Sequence, residues 1–224
     1  MFNLIGRENA IFEILEKITN ENLDFIIVGG YAVSAYKHRF SVDADIIIKK
    51  EDKEKFKNIL SKNKFSEKIV KELNHIYSPE FIRYEKKDDF VINVDLLIDG
   101  IGSRATDASF SFDQLKDYSK KRKIIGSEKE IIVLVPNREM LIVLKLHSGR
   151  LTDIRDIVAL SKDINFDIIK KFLWRGKKEI VKENIKKVLS AINNKNFIDS
   201  FKGAFIEKKF DINMEEIKKF KDLI

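Results

Sequence analysis

The alternation of apolar and polar residues predicts that the chain opens with a helix, a strand, a tight turn and a second helix. Residues 7–20 place apolar side chains at helical spacing. A short apolar run at 25–28 is stopped by Gly29 and Gly30, and residues 31–36 return to a helix-compatible composition.

The following ninety or so residues continue the strand signal. Residues 43–48 (DADIII) predict a strand, and the lysine-rich segment 49–63 carries apolar positions at helical spacing. The β-rich runs 80–84 and 90–98 are separated by a charged turn, which predicts a hairpin or neighbouring strands. One more strand is predicted to end at Pro136.

From Asn137 onward the strand signal stops and only helical patterns remain. The pattern therefore predicts an α/β (α+β) fold with a mixed sheet flanked by helices in residues 1–136. Residues 137–224 are expected to form a C-terminal helical region packed on that core. No internal repeat or low-complexity segment interrupts this division.

Composition narrows the class of protein. The chain is 44% hydrophobic with 17 Phe, which is enough to fill a core, and it has no Cys, so disulfide, thiolate-zinc and cysteine-nucleophile chemistry are excluded. The first twenty residues carry acids at helical spacing, unlike a secretion signal, and no apolar run reaches the roughly 20 residues of a membrane span. We expect a cytoplasmic protein without a membrane partner.

The formal net charge is +7, with 35% charged residues. An excess of basic residues favours a polyanionic partner, but it is equally compatible with an ordinary lysine-rich surface.

Two acids at the head of an apolar strand are the strongest chemical signal. Asp43 and Asp45 stand at i and i+2, so their side chains point to one face of the strand. Placing two like charges there is costly unless a cation lies between them. Carboxylate oxygens suit Mg²⁺, and the pair predicts a metal site.

Asp95 is the natural third ligand. It lies within VINVDLLID among apolar residues, where an unpaired charge would be costly, and its position also makes it the candidate general base toward an acceptor hydroxyl. Asp99 shares its strand face but lies nearer the exit turn, so it ranks well below. Phosphoryl and nucleotidyl transfer typically use two ions held by such acids, here two Mg²⁺ with Mn²⁺ as an alternative.

Gly29 and Gly30 predict a phosphate site. A glycine pair between a strand and a helix lets the backbone approach a phosphate and directs N–H groups at it, although two glycines also serve any tight turn.

These residues together match a known pattern. The string VGGYAVSAYKHRFSVDADIII, with a later Asp on another strand, resembles the nucleotidyltransferase superfamily that includes DNA polymerase β. More closely it resembles the AbiEii/AbiGii-type toxin nucleotidyltransferases and related uncharacterised groups, in which a downstream Lys, Arg and Asp recur, as in KLHSGRLTDIRDIVAL.

The resemblance implies a nucleotidyltransferase-type sheet with metal ions on the three aspartates and a nucleoside triphosphate over the glycines. It also implies a further set of nucleotide-binding or supporting residues: Arg39, Ser41, Lys145, Arg150 and Asp153. Many superfamily members carry Ser at the position of Gly30, so backbone donors are expected to take over here.

Each assignment has a structural alternative. Asp43 and Asp45 could be acids that cap a turn. Lys145 could be a solvated helix lysine. Asp153 and Asp156 stand near a helix start, where acids favour the helix dipole regardless of catalysis.

The expected activity is Mg²⁺-dependent transfer of a nucleoside monophosphate from a nucleoside triphosphate to a hydroxyl, such as an RNA or tRNA 3′ end. The resemblance adds a toxin role with a cognate antitoxin protein as partner. One alternative keeps the chemistry and changes the acceptor to a small molecule or a protein side chain. Another, from a different class, is a noncatalytic module that binds a nucleotide or a partner on the same fold.

Overall fold

The structure is a computed structural model, and it describes residues 2–75, 78–205 and 212–224. The chain divides into two compact units. The first, here the strand unit, contains residues up to Gly102 and Ser109–Pro136. The second, the helical unit, contains Ser103–Ala108 and the chain from Asn137 onward.

A seven-stranded mixed sheet forms the centre of the strand unit. Its strands are β1 (Phe25–Val28), β2 (Asp43–Ile48), β3 (Ser66–His75), β4 (Ser78–Lys87), β5 (Val91–Ile98), β8 (Ser119–Ile125) and β9 (Glu130–Pro136). Their spatial order is β3-β4-β5-β2-β1-β9-β8, with β2/β5 and β1/β9 parallel and the other neighbours antiparallel. A separate two-stranded sheet pairs β6 (Gly100–Gly102) with β7 (Ser109–Ser111).

Four α-helices accompany this sheet in the described residues of the strand unit: α1 (Phe2–Asn20), α2 (Gly29–Ser34), α3 (Lys53–Lys62) and α4 (Phe112–Asp117). A single 3₁₀ turn at Lys50–Asp52 precedes α3. Ser111 caps α4 with a capping box, in which its hydroxyl accepts from the Gln114 amide at 3.2 Å.

The central strands are buried because they are apolar on both faces. All four residues of β1 are buried, as are Ala44 and the run Ile46–Ile48 in β2. Strands covered on both sides lose the alternating pattern and become continuous apolar runs. The core therefore holds β1, β2 and β5 rigidly, and the polar residues at their ends are positioned by that burial.

The predicted fold class is confirmed, and so is the hairpin formed by β4 and β5. The two edge strands, β3 and β8, were not predicted from the sequence. Their sequences, SEKIVKELNH and SKKRKII, are rich in charge, which is how natural sheets discourage pairing at an open edge.

The helical unit contains α5 (Arg138–Ser148), α6 (Leu151–Leu160), α7 (Phe166–Leu173), α8 (Lys178–Ala191), α9 (Lys195–Ala204) and α10 (Met214–Lys218), followed by a 3₁₀ segment at Lys219–Leu223. Residues 206–211, which fall within the predicted helical region, lie outside the described residues. Packing of residues 137–224 on the sheet core remains a prediction.

The segment 103–108 belongs to the helical unit although strands of the other unit flank it in sequence. The Thr106 carbonyl accepts a hydrogen bond from the Lys177 amide at 2.7 Å, and the Thr106 hydroxyl lies 2.8 Å from Nδ1 of buried His147. Gly176 has φ +58°, and a Cβ there would collide with the Thr106 carbonyl oxygen. Within the part of the chain that is described, no helix is both long and apolar enough to cross a membrane.

Candidate active site

The three predicted aspartates lie on one face of two neighbouring strands. In the parallel pair β2/β5, Asp45 stands beside Asp95 and Asp43 beside Asn93. Alternate residues of a strand share a face, so all four side chains point to the same side of the sheet. We call Asp43, Asp45 and Asp95 the acidic face.

Arg83 of β4 joins this group from the next strand, where it pairs with Asp95 in register. Its Nε donates to Asp95 Oδ1 at 2.7 Å and its Nη2 donates to Asp95 Oδ2 at 2.6 Å. The same Nη2 lies 3.4 Å from Asp43 Oδ2, and Asn93 Nδ2 donates to Asp43 Oδ1 at 3.0 Å. Such a two-pronged guanidinium–carboxylate contact is among the strongest hydrogen-bonded pairs in proteins.

Burial and charge act in opposite directions on Asp95. Burial raises the pKa of Asp95 above its ordinary value, the contacts from Arg83 pull it down, and the neighbouring Asp43 raises it again, with a net upward shift. The hydrogen bond to Asp95 raises the pKa of Arg83, which therefore stays charged.

Gly29 allows the acidic face to approach the β1–α2 turn. It has φ +64°, a left-handed conformation that favours glycine, and a Cβ there would collide with Asp45 Oδ2. The register of β1 against β2 places Val28 opposite Asp45, so the Asp45 carboxylate lies against the Gly29 backbone.

Gly30 is covered by two of the predicted nucleotide-binding residues. A Cβ on Gly30 would collide with Ser41 Oγ and would lie 2.7 Å from Arg39 Nη2. The turn that carries these residues is tied to α2, since Tyr31 Oη donates to the Ser41 carbonyl at 3.0 Å and Ser34 Oγ donates to the Arg39 carbonyl at 2.7 Å. Gly29, Gly30, Arg39, Ser41 and Asp45 thus form one polar cluster at the end of β1.

The other predicted residues form a cluster inside the helical unit. Lys145 of α5 is buried, with its Nζ 2.6 Å from Asp156 Oδ2 and 3.1 Å from Asp153 Oδ1. Arg150 precedes α6; its Nε donates to Asp153 Oδ2 at 2.8 Å, while most of its side chain is exposed. We call Lys145, Asp153 and Asp156 the buried ion-pair cluster.

Burial alone would raise the pKa of Asp153, but the hydrogen bond from Arg150 and the charge of Lys145 outweigh it and lower that pKa to about 2. Asp153 therefore stays ionised at neutral pH. Its contacts join α5 to α6 within the helical unit.

The acidic face offers oxygen atoms of the kind that Mg²⁺ prefers. Asp43 and Asp45 provide carboxylates, and Asn93 Oδ1 is buried without a hydrogen-bond partner. No group of three or more His, Cys, Asp or Glu in the described residues is arranged to hold a metal, and both oxygens of Asp95 accept from Arg83. The donor atoms of Asp43, Asp45 and Asn93 fit a divalent cation, whereas the predicted third ligand, Asp95, is paired with Arg83.

Sequence reasoning missed Arg83 and Asn93. Arg83 alternates with the buried residues Ile82 and Tyr84, so its exposure on the opposite face was readable from the pattern. Its pairing with Asp95 depends on the register of β4 against β5, which the sequence does not reveal. Asp99, the lower-ranked acid, accepts from the Lys50 amide at 2.8 Å and has φ +60°.

Solved structures share the architecture. A Helicobacter pylori protein provisionally assigned as a nucleotidyltransferase is 16% identical, with a TM-score of 0.50, and the match covers 99% of this chain and 92% of that one. The enzyme ANT(2″)-Ia, solved in complex with adenylyl-2″-tobramycin, is 11% identical with a TM-score of 0.50, over 80% of this chain and 97% of that one. At such identities the likeness shows a common fold.

A search of curated proteins gives no significant match. The fold, the paired acids on β2 and the glycine turn agree with the predicted superfamily, whereas the narrower likeness to AbiEii/AbiGii-type toxins stays a prediction. The family model described as "Nucleotidyltransferase of unknown function (DUF6036)" matches residues 9–202, and the chain therefore belongs to this family of nucleotidyltransferases.

Proposed function

We propose that the acidic face carries Mg²⁺-dependent transfer of a nucleoside monophosphate from a nucleoside triphosphate to an acceptor hydroxyl. One observation carries the proposal: Asp45 and Asp95 stand side by side on buried parallel strands, and the Asp45 carboxylate lies against Gly29. Such a site brings metal-binding acids next to a turn that a phosphate can approach.

The triphosphate is assigned to the cluster at the end of β1. Gly29 and Gly30 leave room over the backbone, the Arg39 guanidinium supplies positive charge, and the Ser41 hydroxyl lies where a side chain at position 30 would be. Ser41 can thus offer the hydroxyl that Gly30 lacks. Contacts of Lys145, Arg150 and Asp153 with the nucleotide remain predictions from the family pattern.

Asp43 and Asp45 would hold Mg²⁺, or Mn²⁺ in its place, with Asp95 as the third ligand of a two-ion site. Bound divalent ions would neutralise charge on the attacking and leaving oxygens. In the transfer, the acceptor oxygen bonds to the α-phosphorus, the α–β anhydride bond breaks and pyrophosphate leaves. Asp95 would accept the hydroxyl proton once Arg83 no longer contacts both of its oxygens.

The distribution of charge favours a polyanionic acceptor. Residues 1–136 contain 23 basic and 23 acidic residues, whereas residues 137–224 contain 20 basic and 13 acidic ones, so the whole net charge of +7 resides in the C-terminal part. Exposed lysines line α7, α8 and the turn between them, including Lys170, Lys171, Lys177, Lys178, Lys186 and Lys187. An RNA or tRNA 3′ end is the acceptor that this charge suits best.

A small-molecule or protein acceptor is the alternative within the same chemistry. ANT(2″)-Ia was solved with an adenylylated aminoglycoside, but its likeness to this chain extends to the fold. The net charge of +7 does not favour a cationic antibiotic, although an acidic pocket can oppose the global charge locally. A noncatalytic binding module is disfavoured, since all three acids and the glycine pair are present.

The toxin role and the antitoxin partner rest on the family pattern. Induced expression of the wild-type chain should arrest growth in its host, while Asp45→Asn should not. If both forms permit equal growth, the toxin role is excluded.

The central test is transfer itself. Purified protein with labelled nucleoside triphosphates, Mg²⁺ and total RNA should label the RNA, and Asp45→Asn should reduce labelling by about 100-fold or more because a metal ligand is lost. Asp24→Asn is the matched control, since Asp24 pairs with Lys116 at an exposed site. If no RNA, protein or small-molecule pool is labelled, the proposed activity is wrong.

A second test addresses the acceptor. Replacing Lys177, Lys178 and Lys186 together by Gln should weaken RNA binding and flatten its salt dependence by about two units of log–log slope, given about 0.7 per phosphate contact on a single strand. Lys57→Gln, an exposed change in α3, is the control. An unchanged salt slope would remove the helical unit from RNA binding.

A further inference from the structure

Arg83 contacts the side chain of Asp95, the predicted third metal ligand, on the side that a divalent cation would occupy. Its guanidinium donates one hydrogen bond to each carboxylate oxygen of Asp95, and Nη2 also lies 3.4 Å from Asp43 Oδ2. The Asp95 side chain is 4% exposed, whereas that of Arg83 is 31% exposed, so the carboxylate is enclosed and the guanidinium can reach solvent.

The positive charge of Arg83 opposes a cation on Asp95. Two like charges within a few ångströms of one carboxylate repel each other strongly at a partly buried site. The charge also relieves repulsion between Asp95 and Asp43. A guanidinium that cannot lose its proton is suited to this permanent role.

We propose that Arg83 is a positioning residue that substitutes for a divalent cation at Asp95 in the nucleotide-free protein, so that a metal ion is then held by Asp43 and Asp45 without Asp95. Asp95 joins the ions only when the Arg83 fork leaves it. The triphosphate supplies a reason for the exchange, because its oxygens can accept the two-pronged contact that Asp95 gives up. This inference rests on the proposed function and refines its metal site.

The exchange makes binding of metal and nucleotide interdependent. Nucleotide that attracts Arg83 leaves Asp95 available to a cation, and a cation on Asp95 leaves Arg83 available to phosphate. By thermodynamic linkage each ligand then strengthens the other by the same factor.

Metal binding without nucleotide tests the inference directly. Mn²⁺ affinity, measured by calorimetry or by electron paramagnetic resonance on the full chain, should rise about tenfold or more in Arg83→Gln, since Asp95 then becomes available as a third ligand and a nearby positive charge is removed. The Mn²⁺ affinity of Arg83→Lys should lie between those of the wild type and of Arg83→Gln, because lysine keeps the positive charge but cannot make the two-pronged contact with Asp95. A purely structural arginine would give a weaker site when removed, or no change.

A double-mutant cycle shows whether the effect passes through Asp95. In an Asp95→Asn background, Arg83→Gln should raise Mn²⁺ affinity by at least about threefold less than it does with Asp95 present, because only the loss of positive charge near Asp43 still acts. Arg122→Gln is the matched control: it removes an arginine from the same sheet, where it stacks 4.3 Å from the centre of the Tyr36 ring, and should leave Mn²⁺ affinity unchanged.

The outcomes separate this inference from the proposed function. A rise in Mn²⁺ affinity that needs Asp95 supports the role of Arg83 even if no nucleotide is transferred to any acceptor. Equal or weaker Mn²⁺ binding in Arg83→Gln, or absence of binding to both forms, overturns it. Transfer that persists alongside such a result would leave the proposed function standing without this role.

Discussion

The acidic face and the buried ion-pair cluster both combine aspartates with a basic residue, yet they differ in solvent access. In the strand unit, the Asp43 and Arg83 side chains are about one-third exposed, at 29% and 31%. In the helical unit, Lys145 is 7% exposed and both of its aspartates are 2% exposed. An open cluster can exchange its partners for a ligand, whereas a closed one keeps the partners it has.

This difference bears on the predicted role of Lys145. A lysine that contacts a triphosphate would have to leave two buried carboxylates, and separating a buried pair is strongly unfavourable. The contacts seen here give Lys145 a structural task inside the helical unit. The contrast between the two clusters can be tested by changes that affect one unit at a time.

The largest effect is expected from a pair of glycine substitutions. Gly29→Ala should reduce nucleotidyl transfer by about 100-fold or more, because the added Cβ collides with the Asp45 carboxylate and a metal ligand must move. Gly149→Ala, at φ +66° beside the Asn184 side chain, should instead lower the stability of the helical unit. Transfer assays and thermal melts on both variants distinguish the two effects; full activity in Gly29→Ala would contradict the placement of the site.

The next effect is on stability. Lys145→Ala leaves Asp153 and Asp156 buried without their lysine and should lower the free energy of unfolding by about 3–5 kcal/mol, as measured in urea. Lys170→Ala, at an exposed position of α7, should change it by less than about 0.5 kcal/mol.

Nucleotide binding to the same variant decides the family-based prediction. If Lys145 contacts the triphosphate, folded Lys145→Ala protein binds the nucleotide more weakly than Lys170→Ala does. Equal affinities would leave Lys145 with its structural task alone.

The helical unit should also be the acid-sensitive part. Burial lowers the pKa of His147 to about 4, with a further decrease from Arg175. Because the folded pKa lies below the ordinary value of 6.5, the stabilisation is complete above pH 6.5 and is lost as the pH falls toward 4, in total about 3 kcal/mol. The lowered pKa of Asp153 adds a second loss between about pH 4 and pH 2.

Urea unfolding across this pH range measures both losses. His147→Gln should flatten the curve between pH 6.5 and 4 and leave the lower step in place. If the free energy of unfolding of His147→Gln falls with pH as steeply as that of the wild type, the loss of stability comes from another titratable group.

The smallest effects come from the helix caps, which give a matched pair across the two units. Asn137 accepts from the Met140 amide at 2.9 Å at the start of α5, and Ser111 holds the capping box of α4. Asn137→Ala and Ser111→Ala should each cost about 1 kcal/mol. Hydrogen exchange should show the loss in α5 amides for the first and in α4 amides for the second; the reverse pattern would contradict the assignment of the helices to different units.

The sequence predicted those features that depend on local pattern. The run of apolar residues after Asp43 identified a buried strand, and the glycine pair identified the turn before α2, so the mixed sheet and the family followed. It could not predict which residues become neighbours across strands. The contact between Arg83 and Asp95 follows from the register of β4 against β5, and register depends on the whole sheet.

The burial of charged residues could not be predicted from the sequence either. Lys145 stands in α5, which is buried on nearly all of its faces, but a lysine is seldom buried unless it is paired, and the sequence does not show its partners. Only the approach of α6 reveals that Asp153 and Asp156 meet its ammonium group. The edge strand β8 was missed for a related reason, since its basic sequence follows the demands of an open edge and not of a core.

The segment 103–108 has a consequence for how this protein can be divided or recombined. The Thr106 hydroxyl pairs with His147 Nδ1, and the Thr106 carbonyl accepts from the Lys177 amide. A fragment that begins at Asn137 lacks Thr106 and would therefore lose both of these hydrogen bonds. The helical unit is encoded by two separate stretches of the gene. A chimera that exchanges C-terminal halves between relatives must therefore carry this hexapeptide along with the half it serves.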